Sequence, residues 1–230
     1  VTRPRPNVNI MLCSIEEDRS KPIATRSGPG SFTADLHAWS AITHNIIVWD
    51  YVINFSHLLA PFPNWKVLQP NIRLFRDAGV PMVFEQGLSG PGGEMPMFRA
   101  TLLADLLWNP DLDVDSLRTA FINEYTRLME QELDKSGLPL TLYEHPQAHK
   151  DGYLSPANLA RYQTLFTSAE AATMDGEPLY QQRVEAARLP IMYAELEIAR
   201  ALPGTPNGLF EKDASGQWQA KPYYTALLDS

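Results

Sequence analysis

Short apolar runs and amphipathic stretches alternate through the first hundred residues. An apolar run over residues 8–13 predicts a strand, followed by a long loop from Ser14 to Phe32 that carries Glu16, Glu17, Asp18, Arg19 and Arg26. A helix is expected over residues 33–42. The run HNIIVWDY, residues 44–51, predicts a second buried strand, with Ile46, Ile47, Val48 and Trp49 as its apolar body. Asn64 is placed to cap a helix reaching residue 78, whose apolar positions Leu68, Ile72 and Phe75 recur at helical spacing; Gly79 stands where a C-terminal cap glycine belongs. Residues 80–85, VPMVFE, predict a third strand. A Gly/Pro-rich loop and a helix over residues 97–108 follow.

Beyond Pro110 the spacing becomes helical throughout. Asp113 can cap a helix over residues 114–135 that Gly137 ends, and residues 138–151 read as an irregular linker. Ser155 before Pro156 is a helix-start signal, and Leu159, Tyr162 and Phe166 form the buried stripe of the helix it opens. Glu177–Pro178 starts another helix, running to residue 201 and kinked at Pro190. The tail, residues 202–230, reads as loop with a short strand or helix.

Strand starts recur about every 35 residues, the size of a βα unit. Three units cannot close an eight-stranded barrel. The expected fold is therefore α/β: the C-terminal part of a (β/α)8 barrel over residues 1–110, then a helical domain with an irregular tail over residues 111–230. The remaining N-terminal half of the barrel is expected outside this chain.

Composition narrows the function. A net charge of −8 and the lack of any basic run argue against nucleic acid as a partner. No uncharged apolar stretch approaches the roughly 18 residues of a membrane span. One cysteine, Cys13, rules out an intramolecular disulfide and a zinc ribbon. The histidines show no metal-ligand spacing, and the glycines after the third strand lack the Lys-Ser/Thr of a phosphate loop, so no metal or cofactor is expected.

The candidate chemistry lies at the strand ends. Asp50, Tyr51 and Asn54 follow the second apolar run, and Glu85 and Gln86 close the third. A carboxylate at the end of a buried run is costly unless paired or used, and the C-terminal strand ends of a β/α barrel are where catalytic groups gather. Glu85 is the first candidate for chemistry, because a glutamate at the C-terminal end of a barrel strand reaches the substrate face. Asp50 and Tyr51 fall on opposite faces of one strand by its period of two. Asp50 either serves the substrate or pairs with a barrel Arg or Lys. Trp49 and Tyr51 offer faces on which sugar rings stack, while Asn54, His57 and Gln86 can bond sugar hydroxyls.

The run WDYVINFSHLLAPFPNWKVLQPNIRLFRDAGVPMVFEQG, the stretch LLADLLWNPDLDVDSLRTAFINEYT and the later RVEAARLPIMY together resemble the C-terminal barrel segment and helical region of glycoside hydrolase family 163, once filed as a domain of unknown function. The resemblance implies a (β/α)8 barrel and endo-β-N-acetylglucosaminidase activity on complex N-glycans with retention. It also implies a periplasmic or cell-surface location. The rival expectation is a non-catalytic chain that binds glycan or docks a partner through an exposed barrel edge.

Overall fold

A computed structural model describes residues 3–228 except 89, 91, 116–119, 175, 177, 203, 204, 206 and 207. The chain forms two compact units. The first comprises residues 1–58 and 62–144, and the second residues 59–61 and 145–230.

In the first unit, β1 (Ile10–Cys13), β2 (Ile46–Tyr51) and β3 (Met82–Gln86) form a parallel sheet in the order β1-β2-β3. Helices α1 (Phe32–Ser40) and α2 (Trp65–Asp77) make the two crossovers, and α3 (Pro96–Trp108) follows β3. The strands pair in simple register: Leu12 faces Val48, Val48 faces Val83, and Asp50 faces Glu85. The protein is thus α/β, with neighbouring parallel strands whose C-terminal ends lie together.

Alternation sorts the strand side chains. Ile46 and Val48 are buried against Phe32 and Leu36 of α1 and Phe75 of α2, with Leu12 and Val83 packed onto the same cluster. Met11, Met82 and Phe84 occupy the alternate positions and are about half exposed, at 51%, 58% and 50%. One face of the sheet is therefore covered by helices and the other is open and apolar.

The local signals act as their chemistry requires. Ser31 caps α1 by accepting from Ala34 N at 3.1 Å. Gly79 and Gly137 take φ of +73° and +66°, the left-handed region that a Cβ disfavours. Asn64 holds the N-cap position of α2 but makes no capping bond. Its amide nitrogen donates to Val52 O at 3.1 Å and its oxygen accepts from Arg99 Nη1 at 2.5 Å, so a buried arginine takes the acceptor that a cap would have used. Helix α4 (Ala120–Ser136) belongs to the sheet's unit, where Glu130 accepts from Lys66 N at 2.6 Å. The start that Asp113 was expected to cap runs through residues outside those described.

In the second unit, α5 (Pro156–Thr173) and α6 (Pro178–Arg200) pack together. Ser155 caps α5 by accepting from Asn158 N at 3.4 Å. Helix α6 continues through Pro190. The tail forms an antiparallel pair, β4 (Phe210–Lys212) with β5 (Trp218–Ala220), and a short helix α7 (Pro222–Leu228). The expected tail prolines Pro203 and Pro206 lie outside the described residues. Among the described residues no helix is long and apolar enough to cross a membrane.

Candidate functional site

The C-terminal ends of the three strands gather a buried polar cluster. The loop after β1 places Ser14 and Arg19 there, β2 places Asp50, and β3 places Glu85. Ser14, Arg19 and Asp50 are 1–2% exposed. Arg19 Nη1 donates to Asp50 Oδ1 at 2.6 Å, and Nη2 reaches the Ser14 hydroxyl at 3.0 Å and the Ser14 carbonyl. The Ser14 hydroxyl donates to the same Asp50 oxygen, which also accepts from Tyr51 N at 2.9 Å. Asp50 is therefore clamped by three donors.

Glu85 is its opposite. It sits across the strand pair from Asp50, on the alternation row of Val48 and Val83. The residue is only half-buried, because β3 is an edge strand, yet both carboxylate oxygens are shut off from solvent and take no hydrogen bond. Burial, then the nearby Asp50 charge, hold its pKa well above the usual carboxylate range, while Arg19 pulls the other way. A carboxyl so placed holds its proton to higher pH than a solvated glutamate does.

The alternate row carries aromatic rings. Phe84, Trp49, Tyr51, Phe55 and Tyr143 follow one another with ring centroids 5.4, 5.7, 5.9 and 6.3 Å apart. Trp49 and Tyr51 are stacked, 14° from parallel, and Trp49 Nε1 donates to Gln86 Oε1 at 2.7 Å. The Tyr51 hydroxyl is pushed up to about 12 by burial and by a side-chain hydrogen bond with Cys13, so it stays protonated.

The expected residues thus divide. Trp49, Tyr51 and Gln86 share the open face, and Asp50 and Glu85 share the other row, as the period of two requires. Asn54 is spent on the turn after β2: its amide nitrogen donates to Glu144 O at 2.6 Å and its oxygen accepts from Ser56 N and His57 N at 2.9 and 3.1 Å. His57 enters that turn through its backbone. In the acidic loop, Glu17 and Asp18 serve the fold, accepting from Phe32 N and from Leu140 N, each at 2.9 Å. Ser14 and Arg19 were not singled out from the sequence. The available hint was the requirement that a strand-end Asp50 find a cation.

The class defined so far is a parallel α/β unit with a carboxylate pair at its strand ends. Residues 1–127 match the family model described as a domain of unknown function, DUF4838, and the chain belongs to that family. No curated protein and no solved structure matches the chain.

Proposed function

We propose that this chain supplies the acid-bearing part of a (β/α)8-barrel glycoside hydrolase, with Glu85 as the carboxyl that does chemistry and the aromatic strip as the surface that holds sugar. The observation that carries the reading is the Glu85 carboxyl: both oxygens buried, without a hydrogen bond, and set at a parallel strand end across from Asp50. An isolated buried carboxyl is expensive, and strong pKa displacement by burial plus a named charge marks functional sites. Glu85 has no hydrogen bond to break on turning from that helix-covered row toward the strand mouth, where a substrate would arrive. Asp50, bound three ways, does. The likeness of the runs around Asp50 and Glu85 to glycoside hydrolase family 163 supplies the finer terms: an endo-β-N-acetylglucosaminidase acting on complex N-glycans with retention. The reading requires five further strands and a second carboxyl from residues outside this chain.

Glu85→Gln in the complete barrel tests this, with a complex N-glycan as substrate. Turnover is expected to fall about 10²–10⁴-fold, with thermal stability near that of the parent because the amide matches the protonated acid in shape. Hydrolysis at the parent rate would show that Glu85 is structural.

A second reading, a non-catalytic chain that binds glycan or docks a partner, is favoured by the open sheet face, where Met11, Met82 and Phe84 are half exposed. It expects Glu85→Gln to leave glycan binding and every measured rate unchanged, and Trp49→Ala to abolish binding.

A further inference from the structure

We infer that Arg19 is a positioning residue of this site, which fixes Asp50 as the anion against which Glu85 works as an acid. This rests on the reading of Glu85 given above. The argument is one of charge counting and hydrogen bonds. Two carboxyl groups and one guanidinium share a pocket from which water is excluded. Two ionised carboxylates beside one cation leave a net buried charge, which low-dielectric surroundings penalise heavily. One carboxyl must keep a proton, and the hydrogen bonds decide which.

Arg19 makes that decision by geometry. Its fork spans the ends of β1 and β2, holding Ser14 with Nη2 and Asp50 with Nη1, and it turns the Ser14 hydroxyl onto Asp50. The Tyr51 backbone N–H adds a third donor to the same oxygen. Donors aimed at a carboxylate favour its charged form, and no such donor reaches Glu85. The proton therefore resides on Glu85. Among the described residues the charged groups acting on Glu85 are Asp50 from β2 and Arg19 from the loop after β1. The backbone N–H of Arg19 is itself anchored on Leu140 O at 2.9 Å, which sets the height of the fork above the strand ends.

Replacing Arg19 by Gln removes the charge that selects Asp50. Without the cation, any ionised carboxyl in the pocket leaves a net buried charge, so the pair as a whole holds its protons to higher pH. In the complete enzyme, the acid-side limb of kcat against pH is expected to move up by at least about one unit, with KM little changed. Arg19→Lys, which restores the cation, is expected to return the limb most of the way. Ser14→Ala, which removes one donor, should move the same limb in the same direction by less; it provides the reading if Arg19→Gln fails to fold. Carboxyl ¹³C NMR of the chain itself gives a readout apart from turnover: the Glu85 carboxyl holds its proton above the usual carboxylate range in the parent, and the carboxyl pair holds its protons to still higher pH in the Arg19→Gln variant. A uniform loss of activity with unmoved limbs and an unchanged carboxyl spectrum would make Arg19 a structural ion-pair partner only. Full activity in Glu85→Gln would instead overturn the role of Glu85, while the NMR titration would still decide whether Arg19 selects the charged carboxyl.

Discussion

Among the described residues two buried arginines stand in the sheet-bearing unit, and they differ in whether a neighbouring carboxyl is left without a donor. Arg99 of α3 binds Glu94 at 2.6 Å, Asn64 at 2.5 Å and the Phe62 carbonyl at 3.3 Å, with its guanidinium 3.8 Å from the centre of the Trp65 ring. Glu94 and Arg99 are 3% and 2% exposed. Burial raises the Glu94 pKa and lowers that of Arg99, and each partner opposes the shift of the other. Glu130 adds a further negative charge that acts on Arg99, and it is itself held by Lys66 N. In this cluster the carboxylate nearest the cation is hydrogen-bonded to it. Around Arg19 the cation is taken by Asp50, and Glu85 remains without a donor. Carboxylates that each find a donor hold elements in place; the one left without a donor has its pKa raised by burial.

The largest effect expected from this contrast is on stability at Arg99. Arg99→Met leaves Glu94 buried without its cation and frees the Asn64 oxygen. Breaking such a pair costs about 3–5 kcal/mol, to be measured as the shift in urea unfolding at neutral pH. The loss should grow as pH rises, because the stranded Glu94 avoids a bare buried charge only by holding a proton. A cost below about 1 kcal/mol would mean that Glu94 finds another partner, and the two clusters would no longer be different in kind.

The carboxyl partners should then separate by sign. Glu94→Gln removes half of a matched pair and is expected to destabilise at neutral pH. Glu85→Gln should not. A folded-state pKa raised above the unfolded value means that the folded protein binds the proton more tightly, so the contribution of Glu85 is fully present below about pH 4, the unfolded value, and is lost as pH rises through the folded pKa. The amide cannot ionise and escapes that loss. Glu85→Gln should therefore match the parent at acid pH and become relatively more stable as pH rises. Denaturation midpoints measured from pH 4 to 8 check this, and a variant less stable than the parent at pH 7 would show that Glu85 is ionised and satisfied.

Much of the first unit was legible in the chain because its signals are local. The runs ending at Cys13, Tyr51 and Glu85 became the three strands, and the period of two put Asp50 and Tyr51 on opposite faces. Gly79, Gly137 and Ser155 did at the helix ends what their backbone and side-chain chemistry favours. The arginine networks were not legible, because they join residues far apart in sequence: Arg19 with Asp50, and Arg99 with Asn64 and Phe62. Asn64 shows the limit well. Its type and position fit a helix cap, yet a guanidinium 35 residues away takes its oxygen. The aromatic strip was half visible, since Trp49 and Tyr51 lie on one strand; Phe84 joins through strand pairing and Tyr143 through the return of the chain after α4.

The smallest expected difference lies in the rings beside the two arginines. Trp65 lies under Arg99 at 3.8 Å, whereas Tyr51 stands 6.0 Å from the Arg19 guanidinium, at the outer edge of cation–π reach. Trp65→Phe keeps a ring but offers the cation a weaker face, and it leaves space in a site that is 1% exposed; a loss of about 1–2 kcal/mol is expected. Tyr51→Phe removes only a hydroxyl whose partner is the Cys13 thiol. Sulfur is a weak acceptor, so the loss should stay below about 0.5 kcal/mol, smaller than a neutral hydrogen bond usually contributes. Parallel urea unfolding of the two variants gives the comparison directly. Equal losses would mean that Arg19 leans on its aromatic neighbour as Arg99 does, and that the Arg19 cluster is held by packing rather than by the hydrogen bonds on Asp50.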